Sequence, residues 1–537
     1  MTTMDRRAFL QTAVAAAMVA ETSAIQAADR AGAEKLKCDV FVYGSTPGGF
    51  AAAVEAARRG AQVVLACPKS HPGGMAASGL CTTDAIRPQL FGGIVTEFIG
   101  NVRAEYVKLL DGRPEEFKLI KDGWFYEPSV AERIFRRMLE AEEQRLRWLP
   151  AHWLNRATVS DRRVTAVELD RKDGSRLRVS ARTFIDGTYE GDLAAAAKVP
   201  YRVGREGREE YGEPFAGILY MNLHTLKQVF TPDTGEPSIA IQAYCERNVF
   251  TDDPEQRLPV EKPATYEQHL QDYVPLLDDF AGGRVKQWDW GTPLPNRKYQ
   301  MNGDIAALTS MNCPDASWAW PEAERRYRER LEQFHLDHAK GLIYFLQNDP
   351  RVPDHIRDHM KQIGLHRQEF QDSEHWPWQV YVRQGRRIEG RAIVTQHNFT
   401  RDPKTGRSPR VDQPIAIGEY PFDVHPCQDR RYAVDGLMEG VLSYHRSGVD
   451  ALHTPAEPGQ IPYGAILPKN LDNLLVPVAV SSTHVAMSVI RMEPVWMTTG
   501  QVAGAAAALA LEQRVDPVHV DAVPLPGMLK IPVDPYA

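Results

Sequence analysis

The chain of 537 residues is 43% hydrophobic and 25% charged, which is a globular composition with enough length for two or more large domains. Its formal net charge of −7 is small for this size and argues against a nucleic-acid-binding surface.

The N-terminal segment has the pattern of an export signal. Arg6 and Arg7 precede a weakly apolar run, Thr12–Ala20, and small residues up to Ala28 suit a cleavage site. Residues 1–28 therefore resemble a twin-arginine signal peptide, which implies an exported or periplasmic protein; a disordered charged terminus is the alternative. The run is shorter than the roughly 20 residues that span a bilayer, so we expect no stable membrane span in the mature chain.

A strand–helix–strand unit follows the signal. Cys38–Tyr43 and Gln62–Ala66 read as short buried strands, and Ala51–Arg59 reads as the helix between them. A helix N-terminus that follows a glycine turn holds phosphate well, because its free N–H groups point outwards. On these residues alone, a nucleotide site and a plain strand–helix turn both remain open.

The glycine turn departs from G-x-G-x-x-G. Gly44 and Gly49 occupy the first and third glycine positions, but Thr46 stands in the second, and its hydroxyl is a candidate phosphate ligand. Cys67 directly follows strand two, at the position where an acidic residue usually binds the ribose.

Further elements are predicted along the chain. They are a hairpin of Arg163–Leu169 and Arg176–Ala181, a strand Thr183–Ile185, a helix within Glu322–Asn348, a strand Leu474–Val480 and a helix Gly500–Leu511. The segment from about residue 206 to 457 is richer in Trp, Arg, Pro and His, which indicates a second domain inserted into the first.

Three more motifs extend the first glycine turn. They are "HPGGMAASGL" (71–80), "FIDGTYEGDLAAAA" (184–197) and the strand, loop and helix of residues 471–508. Together the four motifs resemble the FAD-dependent oxidoreductases of the glutathione-reductase-like superfamily, and in particular a bacterial branch called simply FAD-dependent oxidoreductases. The stretches "PRVPDHIR" and "YVRQGRRIEG" extend the resemblance over nearly the whole mature chain.

The resemblance implies an α/β fold in which a Rossmann-type βαβ domain binds FAD and carries an inserted α+β substrate domain. The implied boundaries are 37–205 and 458–537 for the FAD-binding domain and 206–457 for the substrate domain. The last helix, opening at Gly500, would point at the flavin. The implied FAD contacts are Gly44, Thr46, Gly48, Gly49, Gly73, Gly74, Asp186, Gly500, Gln501 and Gly504.

Flavin-dependent oxidation of an alcohol or amine needs a base and a substrate clamp. His484 is the candidate base, with a structural histidine as the alternative, and Arg386 and Arg387 are candidate clamps or solvated charges. Arg491 is a further candidate, or an ion-pair partner of Glu493 that shapes the loop. The electron acceptor, whether quinone, cytochrome or O2, is not specified by the sequence.

Cysteine and histidine spacing gives no metal or redox motif. The six cysteines form no C-x-x-C pair, which disfavours a zinc ribbon, a redox disulfide and an iron–sulfur cluster, so we predict small buried residues. His355 and His359 are spaced i, i+4 without the glutamate of H-E-x-x-H and indicate a solvated helix face. With no second glycine fingerprint, we expect no NAD(P)H domain.

Six of the ten tryptophans form three W-x-W pairs, of which Trp376 and Trp378 are the candidate substrate platform. Indoles on one face of an extended segment suit a sugar ring, and core packing is the alternative. The sequence thus predicts oxidation of a C–OH or C–N bond in a small polar substrate, with a carbohydrate among the candidates. The rivals are a flavin electron-transfer subunit and a flavin-free carbohydrate-binding or lyase protein.

Overall fold

The computed structural model describes residues 34–222, 227–302, 307, 309–428, 437–441 and 456–537. The predicted export signal, residues 1–28, lies outside the described residues.

The strands are numbered in chain order. They are β1 (Glu34–Lys37), β2 (Val40–Tyr43), β3 (Val63–Ala66), β4 (Leu146–Leu149), β5 (His152–Ser160), β6 (Arg163–Arg171), β7 (Arg176–Ser180), β8 (Thr183–Asp186), β9 (Tyr201–Arg202), β10 (Tyr220–Asn222), β11 (Lys227–Val229), β12 (Tyr244–Cys245), β13 (Asn248–Thr251), β14 (Arg257–Leu258), β15 (Thr292–Leu294), β16 (Lys298–Met301), β17 (Asn312–Cys313), β18 (Gly364–His366), β19 (Arg387–Ile388), β20 (Pro414–Gly418), β21 (Leu437–Glu439), β22 (Gly459–Pro462) and β23 (Leu474–Leu475).

The helices are numbered in the same way. They are α1 (Pro47–Arg58), α2 (Gly74–Ala77), α3 (Gly93–Leu109), α4 (Pro114–Leu119), α5 (Pro128–Glu140), α6 (Asp192–Ala196), α7 (Arg208–Tyr211), α8 (Tyr266–Tyr273), α9 (Leu276–Ala281), α10 (Arg325–Asn348), α11 (Asp354–Met360), α12 (His484–Ile490), α13 (Glu493–Gln513) and α14 (Leu525–Leu529).

A five-stranded parallel sheet, in the order β23-β8-β2-β3-β4, forms the centre of the fold. Every residue of β2, β3 and β8 is buried, as expected of apolar runs covered on both faces. β23 comes from the far end of the chain and pairs with β8, so residues near 40 and 474 share one sheet. The carboxyl ends of these strands meet at one edge, where ligands bind in open α/β sheets.

The remaining sheets are smaller. β5, β6 and β7 form an antiparallel ladder that β1 joins in parallel, which confirms the predicted hairpin. Residues 248–366 contribute an antiparallel sheet in the order β14-β18-β13-β16-β15, and the helices α8 and α10 are in the same stretch of chain.

The last long helix differs from its prediction. α13 begins at Glu493, not at Gly500, because Pro494 in its first turn favours a helix start there. Gly500 and Gly504 face α1 instead: a Cβ at Gly500 would lie 2.0 Å from the Gly48 oxygen. These two glycines are therefore packing residues between two helices, which corrects their implied position at the helix N-terminus.

Two further expectations concern buried side chains and membranes. All six cysteines are buried and unpaired with one another, as predicted. None of the helices in the described ranges is long and apolar enough to cross a membrane.

Candidate active site

The first glycine turn joins β2 to α1 and closes against the loop that follows β8. Gly44 has a φ of +98°, and a Cβ there would lie 2.6 Å from Gly187, so both the backbone angle and the close approach require glycine. Thr46 caps α1: its hydroxyl accepts a bond from the Gly49 N–H at 3.2 Å and donates one to the Gly187 oxygen at 2.6 Å. Thr46 therefore holds the turn together in the position of the second glycine.

Asp186 ends β8 and organises the same loop. Its carboxylate accepts hydrogen bonds from the Thr188 N–H and hydroxyl and from the Ala194 N–H, at 2.6–3.0 Å. Burial raises its pKa to about 6, despite these hydrogen bonds, which lower it. Asp186 thereby fixes the loop that packs against the glycine turn.

The second glycine turn lies beside the start of α13. Gly73 and Gly74 both have positive φ angles, +97° and +52°. The Met75 N–H, which follows them, donates to the Tyr189 hydroxyl at 2.9 Å, and the Tyr189 ring lies 5.0 Å from Trp496 in α13. Tyr189 thus connects this turn to α13.

A group of buried and half-buried polar side chains lies at this junction. We call it the Glu493 cluster; it comprises Asp84, Arg247, Tyr381, Asp423, His425, Arg491 and Glu493.

Arg491 holds much of the cluster together. Its guanidinium pairs with Asp423 at 2.7 Å and donates to the Tyr381 hydroxyl at 2.9 Å. Asp423 also lies 3.4 Å from His425, and Arg247 stacks over the Tyr381 ring at 5.3 Å. The suggested ion pair of Arg491 with Glu493 is wrong, because Asp423 takes the place of the glutamate.

Glu493, the first residue of α13, has an unusual environment. It is fully buried, and neither carboxyl oxygen has a hydrogen-bond partner among the described residues. Burial, followed by the negative charge of Asp84, raises its pKa to about 8. A buried glutamate of this kind exchanges its proton near neutral pH and is a functional-site candidate.

Other buried polar atoms around Glu493 also lack partners in the described part of the chain. They are Arg247 Nε, Arg491 Nε and Trp496 Nε1. Unsatisfied buried donors and acceptors are costly, and several at one place indicate an absent ligand. A planar ring edged with carbonyl oxygens and ring nitrogens meets donors and acceptors of this kind, so these residues fit the isoalloxazine of FAD.

The arginines 386 and 387 are engaged in ion pairs within the protein. Arg386 contacts Glu322 at 2.8 Å and Asp192 at 2.9 Å, and Arg387 contacts Glu206 at 2.6 Å. Each guanidinium is already paired with carboxylates, so these arginines cross-link segments of the protein instead of forming a substrate clamp or a solvated stretch. Of the two, only Arg387 has a fully buried ion pair.

His484 joins the second of these pairs. Its Nδ1 lies 3.1 Å from a Glu206 oxygen, and burial lowers the imidazole pKa to about 4. A neutral, hydrogen-bonded and enclosed imidazole favours the structural alternative over the catalytic base.

We therefore expect His484→Asn to lower the free energy of unfolding by about 1–3 kcal/mol, the typical penalty for disturbing a buried hydrogen bond, without slowing flavin reduction. Chemical denaturation and stopped-flow spectroscopy measure the two quantities. A large loss of reduction rate in a folded, FAD-loaded variant would restore His484 as the base.

The tryptophan pair does not form a platform. Trp376 is 3% exposed and packs edge-to-face against Phe250, whereas Trp378 stacks on His71 at 4.9 Å. The two indoles thus have different surroundings, and Trp376 belongs to the core.

Gln501, an implied FAD contact, is engaged within the protein. Its side-chain amide accepts a hydrogen bond from the Ile94 N–H and donates one to Glu55.

Most of the Glu493 cluster was missed by sequence reasoning. Asp84, Arg247 and Asp423 lie in loops without a motif, and only tertiary contacts bring them together. The one local signal was Glu493 before Pro494, an acid at a helix start beside the flavin-facing motif.

Comparison with known proteins gives one strong match. The model of a family described as FAD dependent oxidoreductase matches residues 39–529. A search of the curated proteins finds no match.

Solved structures align only weakly. A geranylgeranyl bacteriochlorophyll reductase-like protein from Thermoplasma acidophilum is 9% identical over 89% of this chain and 80% of its own, with a TM-score of 0.32. A myxobacterial FAD-dependent chondrochloren halogenase is 16% identical over 42% of this chain, with a TM-score of 0.24; the alignment spans 45% of its length. L-proline dehydrogenase from P. horikoshii is 11% identical over 37% of this chain and 26% of its own, with a TM-score of 0.19. Such scores carry no argument about activity.

Proposed function

The chain belongs to the FAD-dependent oxidoreductase family, and on that premise we propose that it oxidises a C–OH or C–N bond of a small polar substrate at the Glu493 cluster. It is an enzyme with FAD as its cofactor. The observation that carries the proposal is the buried, unpaired carboxyl of Glu493 with its pKa of about 8.

Several backbone segments would hold the cofactor. The N-terminus of α1, with Gly44, Thr46, Gly48 and Gly49, would hold the pyrophosphate, because the helix dipole attracts negative charge. The Gly49 N–H is already bonded to the Thr46 hydroxyl, so the dipole is the main attraction. The second turn, Gly73–Gly74, and the first turn of α13 would hold the isoalloxazine between them. When bound, FAD supplies an acceptor for the hydride that leaves the substrate.

Glu493 would accept the proton that leaves the substrate. Oxidation of an alcohol or amine releases a proton from the O–H or N–H, and a carboxylate with a pKa near the working pH accepts it efficiently. The ionised form of Glu493 is the base, so its fraction increases as the pH rises through about 8. The helix start at Glu493 keeps the carboxyl fixed at the end of α13.

Arginines of the cluster would orient the substrate. Arg491 is held rigidly by Asp423 and Tyr381, yet its Nε has no partner among the described residues. Arg247 likewise has an unpartnered Nε and faces Tyr381. Two fixed guanidinium groups beside a proton acceptor suit a substrate that carries hydroxyl or carboxylate oxygens. Because Trp376 lies in the core, the proposal does not include a sugar-stacking platform.

Anaerobic reduction of the FAD-loaded protein tests the proposal. Small polyols, hydroxy acids and amino acids are mixed with the enzyme, and loss of the oxidised flavin absorbance is followed. We expect at least one compound class to bleach the flavin, and the rate to rise as the pH passes about 8. Reduction only by a protein partner, with none of these compounds active, would favour an electron-transfer subunit and contradict the proposal.

A further inference from the structure

Two histidines and one aspartate meet between the helices α8 and α10, and none of them belongs to the Glu493 cluster. His269 and Asp272 are three residues apart on α8, and His338 is on α10. One ligand atom from each lies within 4.8 Å of the others, and the residues are only 3%, 8% and 4% exposed. We propose that this trio binds one divalent transition-metal ion, with Zn²⁺ as the best chemical match.

The donor set is that of a metal site. Two imidazoles and a carboxylate are ligands that zinc and iron(II) both accept, and three protein ligands leave one position for water. Ligands of a tetrahedral zinc ion with bonds of about 2.1 Å lie about 3.4 Å apart. The His269 Nδ1 and an Asp272 oxygen are 3.1 Å apart, close to that separation. A direct hydrogen bond between the two side chains also has this length, and metal analysis distinguishes it from a metal site.

The surrounding contacts hold the side chains in place. The Ser310 carbonyl lies 2.9 Å from His338 Nε2; a carbonyl only accepts, so Nε2 carries a hydrogen, and Nδ1 is the ring atom that would bind the metal. Histidines that bind metals are commonly oriented in this way by a backbone carbonyl. The hydroxyl of Tyr273 donates to the His338 carbonyl at 3.1 Å, which joins α8 to α10 at the same level.

The burial of these side chains also favours metal binding energetically. A divalent cation would interact favourably with the Asp272 carboxylate, because Coulomb attraction is stronger in a buried site of low dielectric constant. The metal would cross-link α8 and α10 and stabilise the folded state, because the unfolded chain does not bring the three ligands together. The inference stands independently of the proposed oxidation at the Glu493 cluster.

Metal analysis of the purified, FAD-loaded protein tests the site. Atomic emission on protein grown with added zinc and dialysed without chelator should give about one zinc per chain, and His338→Gln should lower this at least tenfold. The matched control is His355→Gln, on α11, whose exposed ring contacts only the Lys286 carbonyl among the hydrogen bonds described. The control should keep its zinc, and both variants should keep FAD.

A second measurement guards against a variant that fails to fold. Wild-type protein stripped with a chelator should bind Co²⁺ with visible absorption bands, and added Zn²⁺ should displace it and raise the melting temperature. Substoichiometric zinc in wild-type protein, together with no cobalt spectrum and no zinc-dependent melting shift, would show that the trio is a hydrogen-bonded core and overturn the proposal. Zinc retained in full by a folded His338→Gln would overturn it too.

Discussion

Replacing Gly49 with valine should abolish FAD binding. A Cβ at this position would lie 1.9 Å from the Gly44 oxygen and 3.1 Å from Gly187, so even one added carbon displaces backbone, and a branched side chain pushes α1 off the turn. The hydrogen bond between the Gly49 N–H and Thr46 would break with it. The FAD released by denaturing the purified variant, measured against protein concentration, checks the result.

The matched control is Gly100→Ala in α3. A Cβ there meets nothing within 4 Å, so FAD content should equal that of the wild type. Full FAD occupancy in Gly49→Val would show that the cofactor does not depend on this turn. Circular dichroism of both variants separates loss of the cofactor from loss of the fold.

Replacing Glu493 with glutamine should slow flavin reduction by about 10²-fold or more while FAD remains bound, because a neutral amide cannot accept a proton. The wild-type rate should rise with pH through about 8, and the variant should lose this dependence. Stopped-flow absorbance under anaerobic conditions, with a substrate that bleaches the wild type, measures both effects.

Glu246→Gln provides the comparison. Glu246 is also fully buried, with a pKa raised well above its usual range by burial, but its charged neighbours are Glu332 and lysines 69 and 340, outside the Glu493 cluster. Its reduction rate and pH profile should match those of the wild type. Equal losses in the two variants would indicate a general effect of altering a buried carboxyl.

The ionisation of Glu493 also affects stability. The pKa of Glu493 in the folded state exceeds its ordinary value of 4.5, so the folded state holds the proton more tightly than the unfolded state. The resulting contribution to the free energy of unfolding is fully present below about pH 4.5 and is lost as the pH rises through about 8. In Glu493→Gln, the free energy of unfolding should not show this decrease between about pH 4.5 and about pH 8, as measured by chemical denaturation at several pH values.

The sequence predicts the regular part of the fold well. β2, α1 and β3 fall within four residues of their predicted bounds, because apolar strands and a glycine turn are local signals. The predicted strand from Leu474 to Val480 shortens to two residues, since Pro477 removes a backbone donor. The alanine-rich half of α13 dominates its sequence pattern, so the sequence predicts a start at Gly500, seven residues after the observed start at Glu493.

The site was less predictable for a physical reason. Glycine turns are read from local backbone requirements, whereas the pKa of Glu493 depends on burial by distant segments. Arg386 and His484 looked catalytic because charge and imidazole are visible in sequence, but their ion-pair partners, Asp192 and Glu206, are not. Chemistry at a tertiary junction is specified by contacts that no short motif contains.

The most direct test of the account is the pH dependence of the flavin midpoint potential, which needs no substrate. If Glu493 takes up a proton when the nearby flavin is reduced, the wild-type potential should fall more steeply above about pH 8, by about 30 mV per pH unit for one proton and two electrons. Glu493→Gln should lack this extra slope. Parallel curves for the two proteins from about pH 6 to about pH 10 would contradict the central claim that Glu493 is the proton-carrying group of the flavin site.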